Sequence, residues 1–440
     1  MSGADLSSTV KLAYRALRLA AKGASERGAI QQLATSDPNL ANVKHESLDL
    51  VLTTLRNQDV LDRIVQDALP NEILAAKTLL LFRLATQLLM KAHGKDDVRR
   101  KERGLRNVTP VEYLPRLEIL LGSVLGHDPY RIPSTATDAE RVALETHHPA
   151  LWVEYCFRLL GRSEAIKLLS TDSRPRYIRV NPLMNRGRTT LPAQAKRLAG
   201  KLTRVPSDPG VYLLNGSPSE FSAFFSQGLF QMQDFASYLA VKAGGPEPGE
   251  TVLDLCAAPG AKTATLAQFM KNRGKIVSVD YSQSRMEAWK RETSRLGVKI
   301  AEPVIGDAAR LAVHGTFDLI IIDPPCTGTG VFDRNPRMKW HLSPKSLERY
   351  ASLQQQFMDA ATPLVAEEGR ILYCTCSIAV EENEQVVSTF LKSHADFEIC
   401  PILGEYGSPG LKGLTDCRRL FPHRDRTAGY FISLMQRTNQ

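Results

Sequence analysis

The feature that most constrains the fold is a strand, turn and helix pattern that repeats between residues 251 and 375. Apolar strands are predicted at Thr251–Leu255, Lys275–Asp280, 300–305, Phe317–Ile322 and 370–374, with helices at 262–271, 282–296 and 346–365. Alternating strands and helices, with strands that are apolar throughout, are typical of a parallel sheet covered on both faces. The pattern therefore predicts an α/β domain over residues 246–440.

Chemically useful side chains stand where these predicted strands end. Asp254, Asp280, Asp307 and Asp323 lie at or just beyond four strand ends, and Cys376 follows the fifth. A single aspartate at such a place is more often a turn former or a helix cap. Ligands of open parallel sheets bind beyond the carboxyl ends of the strands, so acids at successive ends favour a binding site.

The first strand leads into a loop of small residues that predicts a nucleoside site. The loop residues are Cys256, Ala257, Ala258, Pro259, Gly260, Ala261 and Lys262. The three-glycine dinucleotide fingerprint is missing. Asp280 is placed to accept hydrogen bonds from ribose hydroxyls, and Asp307 from an adenine amino group. A nucleoside site without a phosphate-cradling loop fits S-adenosylmethionine better than ATP or NAD.

Two cysteines lie just beyond strand ends, where a substrate would bind. Cys326 lies in the segment DPPCTGTG (residues 323–330), and Cys376 in YCTCS (residues 373–377). The other cysteines are predicted to be buried packing residues. Zinc binding by Cys374 and Cys376 is a weak alternative, because no second Cys/His pair stands at finger-like spacing. We expect no metal.

The rest of the chain divides into two regions. Residues 1–125 are predicted to be helical, since apolar positions recur at spacings of three and four. Residues 126–140 have linker composition, a helix is predicted at 149–169, and a Gly/Pro-rich linker covers 243–250. We therefore predict a helical domain at 1–125, a middle subdomain at 140–245 and the α/β domain at 246–440.

Positive charge is concentrated in the middle region. The chain has 56 Lys and Arg against 47 Asp and Glu, a net charge of +9. Residues 171–204 contain nine basic residues and one acid. Arg174, Arg176 and Arg179 lie in this stretch and are suited to phosphate contacts with a polyanionic partner, since arginine binds phosphate oxygens well. A shorter basic cluster at 91–106 is predicted to be an ordinary solvated face.

These motifs together resemble the Nop/Sun family of RNA (cytosine-5) methyltransferases. The resemblance rests on residues 254–263, 323–330, 335–340 and 375–377, and on FPH (421–423) ahead of GYFI (429–432). It covers about residues 140–437. Two departures are Ala261, where the family usually has glycine, and Ala428, where an acid is common. By length, helicity and position, residues 1–125 look like the NusB-type domain of the bacterial ribosomal-RNA branch.

The resemblance implies a Rossmann-like methyltransferase domain that uses S-adenosylmethionine, preceded by an all-α NusB-like domain. Cys376 matches the nucleophile that adds to carbon 6 of cytosine, which activates carbon 5. Asp323 matches the acid that stabilises the base, and Cys326 the residue linked to product release. Lys262 matches a lysine beside the cofactor, and Arg285 one near the ribose. The resemblance also makes residues 246–440 the catalytic domain and residues 140–245 an RNA-binding subdomain, in which Arg174, Arg176 and Arg179 would contact RNA phosphates.

Three functional interpretations stay open at this point. The first is 5-methylcytosine formation in ribosomal RNA, which the helical domain favours, and the second is the same reaction on transfer RNA. The third is a non-catalytic RNA-binding factor for ribosome assembly, which intact Cys326, Cys376 and Asp323 argue against. Seven cysteines without framework spacing indicate reduced thiols. We expect a cytoplasmic monomer with no membrane association and no secretory signal.

Overall fold

The structure is a computed structural model that describes residues 3–124, 135–171 and 173–438. The chain folds into two compact units. Unit 1 comprises Met1–Ser170 and Asp333–Trp340, and unit 2 comprises Thr171–Phe332 and His341–Gln440. Most of the predicted linker at 126–140 lies outside the described residues. None of the helices in the described ranges combines the length and the apolarity that crossing a bilayer requires.

Unit 1 is helical, as the apolar periodicity predicts. Its α-helices are α1 (Gly3–Ala20), α2 (Glu26–Ser36), α3 (Lys44–Arg56), α4 (Gln58–Ala68), α5 (Ala76–Met90), α6 (Lys95–Val108), α7 (Leu114–Val124), α8 (Asp138–Thr146), α9 (Ala150–Leu160) and α10 (Arg162–Leu169). The core residues Val10, Val51 and Phe82 are fully buried. The single helix predicted at 149–169 is wrong, because Gly161 with φ +77° separates α9 from α10.

The segment Asp333–Trp340 caps three helix ends of unit 1. The guanidinium of Arg337 donates to the carbonyl of Ala20, the last residue of α1. The indole N–H of Trp340 donates to the carbonyl of Leu55 in the last turn of α3 (2.6 Å), and Lys339 donates to the carbonyl of His147 after α8. Helix ends leave carbonyls without partners, and cations stabilise them. The capping explains why this segment clusters with unit 1.

Unit 2 contains all the strands that the structure describes. They are β1 (Arg176–Val180), β2 (Leu202–Arg204), β3 (Val211–Leu214), β4 (Phe230–Met232), β5 (Thr251–Leu255), β6 (Lys275–Asp280), β7 (Ala301–Ile305), β8 (Phe317–Ile322), β9 (Val365–Thr375), β10 (Phe397–Cys400), β11 (Ser408–Pro409), β12 (Arg418–Leu420) and β13 (Tyr430–Arg437). Its helices are α11 (Ser222–Ser226), α12 (Phe235–Gly244), α13 (Ala261–Phe269), α14 (Gln283–Arg295), α15 (Pro344–Ala361), α16 (Glu384–Ser393) and α17 (Pro422–Asp425).

A nine-stranded sheet forms the centre of unit 2. Strands β9, β8, β5, β6 and β7 are parallel neighbours in that order, which confirms the predicted parallel sheet. Sequence periodicity did not predict the antiparallel edge, in which β13 pairs with β9, with β12 and with β10. Helices cover both faces, and the chain reverses its direction of winding between β5 and β8. Open sheets bind ligands at such a switch point.

A separate sheet precedes this one in unit 2. Its antiparallel order is β2–β3–β1–β4, and the extended stretch predicted at 177–180 is its strand β1. The predicted subdomain at 140–245 spans the junction between the units at Ser170. The three-domain division and the NusB-like character of residues 1–125 stay predictions.

Candidate active site

The two cysteines beyond the strand ends lie in contact. The Sγ atoms of Cys326 and Cys376 are 3.3 Å apart. They approach because β8 and β9 are adjacent and parallel, so the loops that follow them emerge at one edge of the sheet. Cys326 is buried and Cys376 is partly exposed. The hydrogen bond to Cys376, followed by burial, raises the pKa of Cys326 well above its usual value, so Cys326 keeps its proton.

Asp323 lies beside the thiols in a cluster of polar groups. Its Oδ2 accepts a hydrogen bond from Nζ of Lys262 at 2.6 Å. Its Oδ1 is 3.4 Å from the hydroxyl of Tyr430 and 3.9 Å from Sγ of Cys374. Burial works to lower the pKa of Lys262, but the charge of Asp323 outweighs it, and the pKa rises. Lys262 is therefore a permanent cation at this edge.

The loop after β5 contains two residues with left-handed backbone conformations. Cys256 has φ +61° and Gly260 has φ +103°. A Cβ on Gly260 would lie 3.1 Å from Cδ1 of Trp289 and 3.2 Å from Cγ2 of Thr293, so the glycine is required by conformation and by space. The loop ends at the amino terminus of α13. Small side chains here leave the backbone open to a ligand.

The acids predicted to hold a nucleoside differ in exposure. The carboxylate of Asp280 is fully buried, accepts from the N–H groups of Ala258 (3.3 Å) and Ser282 (3.1 Å), and pairs with Arg285 at 3.1 Å. Arg285 also donates to the carbonyl of Ala258 at 2.5 Å, which joins the loop to α14. Asp307 is exposed after β7. The structure thus brings the predicted loop, Asp280 and Arg285 together, with Asp307 at the next strand end.

Asp254 is a fully buried carboxyl group near the site, and only one of its two oxygens has a hydrogen-bond partner. Its Oδ2 accepts from Oγ1 of Thr263 at 2.5 Å, whereas its buried Oδ1 has no hydrogen-bond partner. Burial raises the pKa of Asp254 to about 7, and the nearby carboxylates add to the rise. The group therefore titrates near neutral pH, unlike an ordinary aspartate.

The structure corrects two of the three predicted RNA contacts. Arg179 is 5% exposed, and its guanidinium donates to Gln233 (2.7 Å), Gln231 (2.6 Å), Thr265 (2.8 Å) and Gln268 (2.9 Å). Arg174 is 7% exposed and pairs with Asp234 at 2.8 Å. Both guanidinium groups are buried in contacts within unit 2, so neither can reach an RNA phosphate.

Of the three predicted RNA contacts, Arg176 is the one that is exposed. Six further basic residues of the same stretch are exposed: Arg186, Arg188, Lys196, Arg197, Lys201 and Arg204. Elsewhere, the described residues hold no group of three or more His, Cys, Asp or Glu side chains arranged for a metal. All seven cysteines are free thiols.

Comparison with known proteins identifies the family. Residues 242–436 match the family described as 16S rRNA methyltransferase RsmB/F. The chain is 32% identical over 305 residues to the "Probable ribosomal RNA small subunit methyltransferase B" of Bacillus subtilis, covering 68% of each chain. The protein belongs to the RsmB/F methyltransferase family. The resemblance seen in the sequence motifs is thereby confirmed.

Two further similarities extend over different shares of the chain. The chain is 33% identical over 222 residues to the tRNA (cytosine(72)-C(5))-methyltransferase of Pyrococcus horikoshii, covering 50% of this chain and 55% of that protein. The crystal structure of PH0851 superposes with a TM-score of 0.83 at 25% identity, over 98% of this chain and 99% of that one. The chain spans 37–55% of several other curated relatives.

Membership of the RsmB/F family confirms the predicted Rossmann-like fold class and the predicted enzyme class, a methyltransferase that uses S-adenosylmethionine. The residues present fit that cofactor. The loop after β5 has small side chains, the carboxylate of Asp280 lies beneath it, and the edge of the sheet has no phosphate-cradling glycine loop. The NusB-like identity of residues 1–125 stays a prediction.

Sequence reasoning missed several residues that surround the site. Tyr430 lies within a quoted motif, but nothing in the motif places its hydroxyl near Asp323. Glu382 is fully buried between the two cysteine loops. The only signal in the sequence for Glu382 is that Glu381 and Glu382 follow within seven residues of Thr375, the last residue of β9.

Proposed function

We propose that the protein transfers a methyl group from S-adenosylmethionine to carbon 5 of a cytosine in RNA, through a covalent bond between Cys376 and the base. The observation that carries the proposal is the pair of thiols 3.3 Å apart, next to Asp323, at the carboxyl edge of the parallel sheet. A methyltransferase acting on a nucleophilic atom needs no paired thiols. Carbon 5 of cytosine does need a thiol, because it is too weak a nucleophile unaided.

The difference in exposure between the two thiols supports the roles that we propose for them. Cys376 is the partly exposed thiol, and we assign it the attack on carbon 6. Cys326 keeps its proton and can donate a hydrogen bond to Sγ of Cys376, 3.3 Å away. After transfer, carbon 5 loses its proton and the bond from sulfur to carbon 6 breaks. We assign Cys326 to that release step.

Asp323 and Lys262 support the base. We assign Asp323 to the ring nitrogen and amino edge of the cytosine, where electron density rises as the thiolate adds. Lys262 fixes the Asp323 carboxyl through Oδ2 and leaves Oδ1 toward Tyr430. S-adenosylmethionine, when bound, supplies an electrophilic methyl group. The loop residues 256–262, Asp280, Arg285 and Asp307 are the groups that we propose hold it.

RNA is the proposed partner, and its contacts are mainly electrostatic. Arg176, Arg186 and Arg188 are exposed in the basic stretch and suit phosphate oxygens. A stacked base cannot enter a site at the edge of a sheet, so the target cytosine must be unpaired or flipped out. Ribosomal RNA is the substrate class we favour, because the family description and the Bacillus relative name it. We further propose that the protein acts as a monomer in the cytoplasm.

Transfer RNA is the second candidate, since the Pyrococcus relative acts on it. Bisulfite sequencing of total RNA from a deletion strain and its parent separates the two. A cytosine that loses protection in ribosomal RNA supports the first candidate, and one in transfer RNA supports the second. No change in either RNA would contradict both.

The covalent mechanism is tested with Cys376→Ala, Cys326→Ala and the control Cys417→Ala, whose cysteine is buried elsewhere in unit 2. Cys376→Ala should bind RNA and cofactor but give neither methylation nor an adduct. Cys326→Ala should transfer the methyl group and then stall as a protein–RNA adduct that survives denaturing electrophoresis.

Cys417→Ala should methylate normally. An adduct from Cys376→Ala but not from Cys326→Ala would reverse the roles. Methylation by both variants, with no adduct from either, would eliminate the covalent mechanism and favour a packing role for both thiols.

A further inference from the structure

A buried carboxylate joins the two cysteine loops. Oε1 of Glu382 accepts from the backbone N–H of Thr327 at 2.8 Å and from Nε2 of Gln354 at 3.1 Å. Its Oε2 accepts from the hydroxyl of Ser377 at 2.6 Å and from the hydroxyl of Thr327. Thr327 follows Cys326 directly, and Ser377 follows Cys376 directly. One carboxyl group therefore holds the residues next to both thiols.

Further hydrogen bonds restrict the movement of the two cysteine loops around Glu382. Gln354 also donates to the carbonyl of Pro325 at 3.1 Å, which fixes the residue on the other side of Cys326. Thr329 and Ser377 share a hydrogen bond at 2.9 Å between their hydroxyls. Glu382, Ser377 and Gln354 are fully buried, so water does not compete for these bonds.

Burial of the Glu382 carboxyl group lowers the stability of the folded protein. Burial raises the pKa of Glu382, although four hydrogen bonds oppose that rise. Among the described residues, the hydrogen-bond partners of the Glu382 carboxylate are Thr327, Ser377 and Gln354, none of them a cation. A buried acid without a cation destabilises the fold, and its bonds go to the two loops that carry thiols.

We propose that Glu382 is a positioning residue that sets the separation of the Cys326 and Cys376 thiols by clamping the loops after β8 and β9. The 3.3 Å contact is needed because Cys326 acts on the bond that Cys376 makes. A shift of about 1 Å between such groups can cost up to about a hundredfold in rate. The catalytic role of this clamp rests on the proposed function, but the separation of the two thiols can be measured without methyl transfer.

The test uses the full-length protein and Glu382→Gln. The amide keeps the shape but replaces one accepting oxygen by an amino group, which cannot accept from the loop donors. We expect kcat to fall about tenfold or more, while the KM for RNA and the Kd for S-adenosylmethionine stay within about twofold. Tyr373→Phe is the matched control. Its hydroxyl donates to the backbone carbonyl of Glu382 at 2.6 Å and leaves the carboxylate untouched.

A second readout measures the thiol pair directly with phenylarsine oxide. Its arsenic bonds to two thiols held close together, and the arsenic-bound oxygen takes both thiol protons and leaves as water. The wild-type protein should bind one arsenical across Cys326 and Cys376, located by peptide mass spectrometry, and Cys326→Ala should not. Glu382→Gln should bind it about tenfold more weakly, because the loops separate. Tyr373→Phe should bind like the wild type.

The outcomes separate the two proposals. Weaker arsenical capture by Glu382→Gln, with a wild type that methylates no RNA, supports the clamp and overturns the function. Equal capture and equal kcat in Glu382→Gln and Tyr373→Phe overturn the clamp. If Glu382→Gln does not fold, Thr327→Val and Ser377→Ala replace it, and each should weaken capture in the same direction. Unchanged capture in both would also overturn the proposal.

Discussion

Replacing Asp254 by asparagine should remove a pH dependence from the stability of unit 2. In the folded protein burial raises the pKa of Asp254 from 3.8 to about 7, because the buried carboxylate loses its hydration and one of its oxygens has no partner. The hydrogen bond from Thr263 to the other oxygen opposes this rise only in part. In the unfolded chain the pKa returns to an ordinary value. The folded state therefore holds one more proton than the unfolded state between these two pKa values.

The sign of the effect follows from linkage. A folded pKa that is raised gives stability that is fully present below the unfolded pKa and is lost as the pH rises through the folded pKa. Over that window the loss is about 1.4 kcal/mol for each pH unit. Between pH 5 and pH 8 the ionisation of Asp254 should cost the folded protein about 2–3 kcal/mol, with the slope flattening above pH 7. Asp254→Asn has no titratable group at this position, so it should lose none of this stability as the pH rises.

The assay is urea unfolding at pH 5, 6, 7 and 8. Trp289 is the reporter in unit 2, because its indole N–H donates to Oγ1 of Thr263, the same atom that donates to Asp254. Trp152 and Trp340 are replaced by phenylalanine in both proteins, so that unit 1 contributes no tryptophan fluorescence. The difference in unfolding free energy between Asp254→Asn and its parent should grow with pH. Parallel curves, differing by a constant across the range, would refute the reasoning.

Arg179→Lys should lower the stability of unit 2 by about 2–4 kcal/mol in thermal unfolding, because lysine leaves amide oxygens of the surrounding glutamines unpaired. A loss of RNA affinity with unchanged stability would instead show that Arg179 contacts RNA. Arg186→Ala and Arg188→Ala should each reduce the slope of log affinity against log salt by about one unit in RNA-binding titrations. An unchanged slope would show that Arg186 and Arg188 are solvent-exposed without contacting RNA. Gly330→Ala should destabilise the protein by several kcal/mol, since its Cβ would lie 2.0 Å from the carbonyl oxygen of Gly429. An unchanged melting temperature would show that the two loops can separate.

Sequence alone was sufficient for the elements of the parallel sheet and for the edge that carries the site. The predicted strands Thr251–Leu255, Lys275–Asp280 and Phe317–Ile322 match the structure. Short apolar runs between turn residues are local signals, and parallel strands place their carboxyl ends at one edge. For that reason Cys326 and Cys376 could be expected near each other before any coordinates were known.

Tertiary structure alone decided which polar side chains face solvent and which serve the interior. Arg179 and Arg176 lie on one short strand within a basic run, yet only Arg176 is exposed. The partners of Arg179 are 52 to 89 residues away along the chain. Glu382 likewise bonds to Thr327 across 55 residues. A charge pattern records how many cations a segment carries, whereas burial depends on elements that approach only when the chain folds.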